Sequence, residues 1–221
     1  MNRTYCAQLI AFIAMLVMTN ASGQSLSVPD QLIERYAEMQ ITLITDEALE
    51  KPLAELLDEA VRYRDLHQTD PNAWVATARI RFGYASTQGI INGTRLMNFS
   101  RDELEHALTL DRLHNRGLTQ AFLGYLYIGA PGWLLSFGDK DRGKELLEEA
   151  WAIDNTTDSN RYFYGFTNIV DENYSEAQQY YLQLLERVES NPNPRQPFLQ
   201  ALYVREVNKL LVSLEEELAD D

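Results

Sequence analysis

Apolar residues along this chain recur at three- and four-residue spacings, with charged residues between them. Leu32, Ile33, Tyr36, Met39 and Leu43 form one series; Leu53, Leu56, Leu57, Ala60 and Val61 form another. That period lays an apolar stripe along one side of an α-helix. No sustained two-residue alternation bounded by turn residues is found, so the pattern predicts no strand. A longer period lies over the helical one. Gly143, Leu147 and Ala150 return 34 residues later as Ala177, Tyr181 and Leu184. A repeat of that length is one helical hairpin, which buries its apolar face only against a neighbouring copy. The predicted fold is all-α: an α-solenoid of antiparallel helical hairpins, with helices preceding it and a C-terminal capping helix. Units are expected over about 71–113, 114–155 and 156–189, and the capping helix over about 196–219, all within one domain of residues 24–221.

Turn and cap residues punctuate this pattern. Pro29 with Asp30 opens a helix, and Thr45 or Asp46 caps the next. Pro52 falls inside that second pattern, which places it in the first turn or predicts a kink. Thr69-Asp70-Pro71-Asn72 closes the helix, and Pro71 starts the following hairpin. Asn191-Pro192-Asn193-Pro194 is the clearest breaker. Beyond it, Leu202, Val207, Leu210, Leu211 and Leu214 share a face ahead of an acidic end.

Residues 1–23 read as a signal peptide: Arg3, an apolar run from Ala7 to Met18, then Ala21-Ser22-Gly23 for cleavage. A run of twelve residues is too short to cross a bilayer core of ~30 Å, so no stable membrane span is expected. The reading is export across the inner membrane to the periplasm as a soluble protein. The single cysteine, Cys6, lies inside the apolar run. The exported chain then has neither a disulfide nor a thiolate metal ligand.

The residues at each repeat step carry a resemblance. Leu123-Gly124 is followed by Tyr127, a Gly138-Asp139 turn, and a helix with Gly143, Leu147, Ala150 and Asp154. In the last unit Arg161 to Tyr164 lead to Gly165, and the turn at Glu172-Asn173-Tyr174 leads to Ala177, Tyr181 and Leu184. Small residues would let the two helices of a hairpin approach, and bulky ones would fill the space between hairpins. This arrangement resembles the tetratricopeptide repeat, over about Pro71 to Glu189. An earlier unit, with Trp74, Ala78 and Phe82 and then Leu104, Ala107 and Asp111, departs from the pattern at Arg81 and Ser100. The resemblance implies a concave face built from the first helices, showing Val75, Arg79 and Phe82, then Ala121, Tyr125 and Ile128, then Tyr162, Phe166 and Ile169. That face lacks the basic clamp by which chaperone-binding members hold a carboxylate terminus. Exported repeat proteins similar to the T-component of tripartite periplasmic transporters offer a looser resemblance. It implies a partner solute receptor and an enclosed apolar ligand.

The spacing between the two small positions of a unit varies. It is 19 residues from Gly165 to Leu184, 26 from Gly124 to Ala150, and 29 from Ala78 to Ala107. The excess falls between the helices of a hairpin, which predicts two long loops on one edge of the stack. One would contain Ser86-Thr87-Gln88-Gly89 and Asn92-Gly93-Thr94, the other Gly129 to Phe137. Asn92, Pro131, Trp133 and Phe137 are therefore candidates for contact with a protein partner, or else the aromatics fold back over the hairpin end. The concave face, with Arg79, Phe82, Tyr125, Ile128, Tyr162, Phe166 and Ile169, is the second candidate. It is either an open apolar groove or core beneath the C-terminal helix.

Charge narrows the partner class. The chain carries 19 basic and 33 acidic residues, a net charge of −14. Such a surface repels phosphate backbones, so nucleic acid is not expected as a partner. His67, His106 and His114 fall in no metal-binding or nucleophile-activating spacing, and no phosphate-cradling glycine loop is present. Asp139-Lys140-Asp141 with Glu145 has only part of a calcium-loop ligand series. No catalytic residue, metal or cofactor is expected. The sequence points to a scaffold that binds a protein, with the carriage of a small hydrophobic ligand in a periplasmic transport system as the alternative.

Overall fold

The computed structural model describes residues 25–43, 45–130 and 137–220. The signal segment expected over residues 1–23 lies outside them. The described chain is all-α and contains no strand. Its helices are α1 (Val28–Thr42), α2 (Asp46–Leu66), α3 (Pro71–Ser86), α4 (Ile90–Leu110), α5 (Leu118–Gly129), α6 (Lys140–Ile153), α7 (Asp158–Val170), α8 (Tyr174–Ser190) and α9 (Pro197–Asp220). None of the described helices is long and apolar enough to cross a membrane.

The starts of these helices follow their capping residues. Ser27, Thr45, Asp70, Asp139 and Thr157 each accept a hydrogen bond from a backbone N–H of the first turn, at 3.0–3.3 Å. Each satisfies a donor that the helix itself leaves unpaired. Pro71 occupies the first turn of α3, where its missing N–H costs nothing. Pro52 does not sit in a first turn. It lies inside α2, which continues through it to Leu66.

Each helix packs on the next, and α3 on α4 and α5 on α6 make the most extensive contacts. The α5–α6 pairing explains the small positions of the repeat. A Cβ on Gly124 would stand 2.7 Å from the Gly143 carbonyl oxygen, and one on Gly143 would stand 2.5 Å from Ile128. Leu104, Leu123, Leu126, Leu146 and Leu147 fill the core around this contact, each at most 3% exposed.

Two expectations need correction. The longer spacing from Ala78 to Ala107 is not a loop: α3 ends at Ser86, α4 begins at Ile90, and Asn92 and Gly93 lie in the first turn of α4. Gly93 is there because a Cβ would come 2.9 Å from the Ala85 carbonyl oxygen. The last helix also does more than cap the array. α9 packs on α8 and also on α1, at the opposite end of the chain. The Glu34 carboxylate accepts hydrogen bonds from the Phe198 and Leu199 amides at 2.6 and 3.1 Å, and Arg205 donates to the Gln40 carbonyl. These ties pair early residues of α1 with early residues of α9, and later with later. The two helices therefore run parallel.

Candidate functional site: an interior cavity among the first helices

The closure by α9 creates an interior. Tyr36 of α1, Arg79 of α3, Tyr125 of α5, Tyr162 of α7 and the Arg205–Glu206 pair of α9 converge there, near enough to act electrostatically on the Tyr36 or Tyr162 hydroxyl. Gly83 makes room for Tyr36, since a Cβ would stand 2.3 Å from its ring. Burial pushes the Tyr36 hydroxyl up to about 12, with Glu206 and Tyr125 pushing the same way and Arg79 and Arg205 pulling down. Burial also raises Tyr125 and Tyr162 above the ordinary phenol range. At neutral pH these hydroxyls are uncharged donors.

Toward the N-terminal ends of the first helices the interior opens into a cavity of about 450 Å³. Its walls include Ile33 of α1, Val75 and Arg79 of α3, Leu118 of α5, Ser159 of α7 and Tyr203 of α9. A volume in this range is that of small-molecule sites. A second cavity, of about 260 Å³, lies toward the other end, among Phe82, Ala85, Met97, Tyr125, Leu126 and Gly129.

One wall of the larger cavity is strained. Between α4 and α5 the chain makes a tight turn in which Asn115, Arg116 and Gly117 all have positive φ, at 48°, 57° and 92°. For Asn and above all Arg that conformation is costly unless the surroundings enforce it. They do. Asn160, 1% exposed, donates through its side-chain amide to the carbonyls of Arg116, Ala150 and Asp154 at 2.7–3.2 Å. Arg116 pairs with Asp154. His114 is buried, with Nδ1 3.0 Å from Thr119 Oγ1 and Nε2 2.9 Å from Asn72 Oδ1. Nε2 must then carry the proton, because the amide oxygen can only accept. Burial lowers the His114 pKa, against the upward pull of Asp111 and Asp70.

The concave-face residues divide. Arg79 lines the larger cavity and Phe82 and Tyr125 the smaller. Phe82 meets Tyr125 edge-on at 6.1 Å, Tyr125 meets Phe166 at 5.1 Å, and Tyr162 meets Tyr203 of α9 at 5.7 Å. These residues form one continuous aromatic surface, and α9 covers part of it. Ile128 is different. It packs over Gly143, inside its own hairpin, and does not join the concave face. Ile169 packs in the separate cluster of α8 and α9 around Tyr181. On the hairpin edge, Pro131 and Trp133 lie outside the described residues. Phe137 folds back on the array, edge-on to Tyr127 at 5.3 Å and with the Arg101 guanidinium 4.8 Å above its ring.

Sequence reasoning missed Tyr36, Tyr203 and Glu206, because only the return of α9 to α1 brings them together. It also missed Glu103. This buried carboxylate accepts from Arg81 at 2.6 and 2.9 Å and from Arg64. The pairing explains why the first unit places Arg81 at a position where an apolar residue was expected. Among the described residues no three His, Cys, Asp or Glu side chains are grouped to hold a metal ion.

The fold and site together define a class: an all-α protein of helical hairpins with a half-open cavity of about 450 Å³ at the N-terminal ends of its first helices. No protein-family model matches the chain, and no curated protein sequence does.

Proposed function

We propose that this chain is a binding protein without chemistry of its own, exported to the periplasm, that holds a small molecule in its interior cavity. The observation that carries the reading is the cavity of about 450 Å³, whose walls come from α1, α3, α5, α7 and α9. A cavity assembled from residues more than 160 positions apart requires the closed arrangement, and α9 leaves less of the concave face for a partner's helix. The tetratricopeptide resemblance supports a scaffold, and the looser resemblance to the T-component of periplasmic transporters supports a carrier. Native mass spectrometry of freshly purified protein tests the proposal. A co-purifying mass of a few hundred daltons is expected. A bare polypeptide mass that also fails to take up added apolar small molecules refutes it.

A second reading, a protein partner held at the hairpin edge, rests on Ile90 and Ile91. They are 89% and 81% exposed at the α3–α4 turn, on the edge that also carries Phe137. Exposed aliphatic pairs of this kind favour contact with an apolar surface. Replacing both by Asp should abolish capture of a periplasmic partner while leaving the melting temperature unchanged. Capture unaffected by the double change rules out this edge.

A further inference from the structure

One of the charges that line the half-open cavity has no partner among the described residues. Four ionised side chains line it: Asp30, Arg79, Arg116 and Asp158. Arg116 is paired with Asp154, and Asp158 accepts from Arg187 at 2.7 Å. Asp30 is exposed at the rim and accepts from the Ser27 hydroxyl at 2.7 Å. Arg79 is half-buried and has no hydrogen bond or ion pair with any described residue. Arg79 lies near enough to the uncharged Tyr36 hydroxyl to act on it electrostatically, as Glu206 also does. Glu206 is already engaged by Arg205 at 2.9 Å and by Lys209 at 3.0 Å.

A half-buried guanidinium without a partner is costly, because it gives up part of its hydration and gains nothing in return. Arg64 and Arg81, the arginines that share Glu103, are by contrast both paired, whereas Arg161 of α7 also leaves its Nε without a hydrogen-bond partner and lies over the Trp151 ring at 5.7 Å. Resting on the ligand-holding reading above, we propose that Arg79 anchors the ligand and that the ligand is a monocarboxylate with an apolar body. A guanidinium presents two parallel N–H donors that match a carboxylate's two oxygens. The body would lie against Ile33, Val75, Leu118, Val188 and Leu199, which line the same cavity. The charge count selects one negative charge over two. Of the two arginines that line the cavity, Arg79 alone lacks a partner among the described residues, and a chain of net charge −14 disfavours a dianion such as a phosphate monoester.

The test is isothermal titration calorimetry of the purified full chain with three probes of equal length: octanoate, 1-octanol and octylammonium. Octanoate should bind at least ~10-fold more tightly than 1-octanol, in line with a charge-assisted hydrogen-bonded pair. Arg79→Gln should remove that advantage, so that octanoate and 1-octanol bind alike, whereas Arg79→Lys should keep part of it. Because Arg79 has no partner among the described residues to lose, Arg79→Gln should melt at or above the wild type, which separates a lost anchor from a lost fold. Equal binding of octanoate and 1-octanol to wild type and Arg79→Gln overturns the anchor and leaves the cavity reading standing. Preference for octylammonium overturns the anchor as well. Failure of all three probes to bind overturns both.

Discussion

Glu103 holds two arginines from different helices, and its removal has a calculable cost. Its carboxylate accepts from Arg81 of α3 and Arg64 of α2, with the three side chains only 6%, 13% and 15% exposed respectively. In Glu103→Leu, Arg64 keeps Asp65 at 2.7 Å and its position 4.8 Å over the Trp74 ring. Arg81 keeps only the Phe99 ring, 5.7 Å away. The loss is therefore concentrated on one desolvated guanidinium, for which breaking a buried pair costs about 3–5 kcal/mol. At about 2–4 °C per kcal/mol for a chain of this size, the melting temperature should fall by roughly 6–20 °C. Circular dichroism melts of Glu103→Leu and of the double variant Arg81→Leu/Glu103→Leu make the measurement. The double variant should recover much of the loss, since it no longer strands Arg81. A single variant that melts within 2 °C of wild type, or a double variant no better than the single, would refute the argument.

Other perturbations should separate close packing from charge. Gly143→Ala forces a methyl against Ile128 and the Gly124 carbonyl oxygen; chemical denaturation should show a net loss of ~1–2 kcal/mol after the helix-propensity gain. Gly129→Ala meets nothing within 4 Å and should be neutral or slightly stabilising, so equal losses at both sites would contradict the close-approach explanation. Burial lowers the folded-state pKa of His114 below its ordinary 6.5, so the unfolded chain takes up that proton first. The His114 contribution is thus fully present above pH 6.5 and drains away as the pH falls through the folded value; urea midpoints at pH 7.5 and 5.5 should draw closer together in His114→Gln than in wild type. Glu34→Ala removes the acceptor for the Phe198 and Leu199 amides and should cost ~1–2 kcal/mol. Hydrogen exchange should then speed up selectively over residues 197–205, and unchanged protection there would mean that α9 docks by its apolar face alone.

The sequence by itself determined the helices and their pairing. Thr45 caps a helix where its side chain reaches a first-turn amide, and Pro71 opens the next, and local spacing suffices to see both; Ser27 and Thr157 cap helices that the sequence pattern placed without naming those caps. The repeat pattern marked Gly124 and Gly143 as small positions, and the structure places them where two helix backbones nearly touch, because a Cβ there would meet the other's carbonyl oxygen. Turn chemistry was read too literally at Gly89 to Thr94, where Gly93 serves a close approach inside a helix. The tertiary structure alone decided the rest. Whether Arg81 faces water or Glu103 depends on helices brought together by packing, and no periodicity encodes it. Whether α9 merely ends the chain or returns to α1 rests on Glu34 meeting Phe198, a contact 164 residues apart in sequence. That closure gathers Tyr36, Arg79, Tyr125, Tyr162 and Tyr203 around one interior and creates the cavity. A cavity is a property of how surfaces fail to fill space, so it has no signature in the order of the residues that line it.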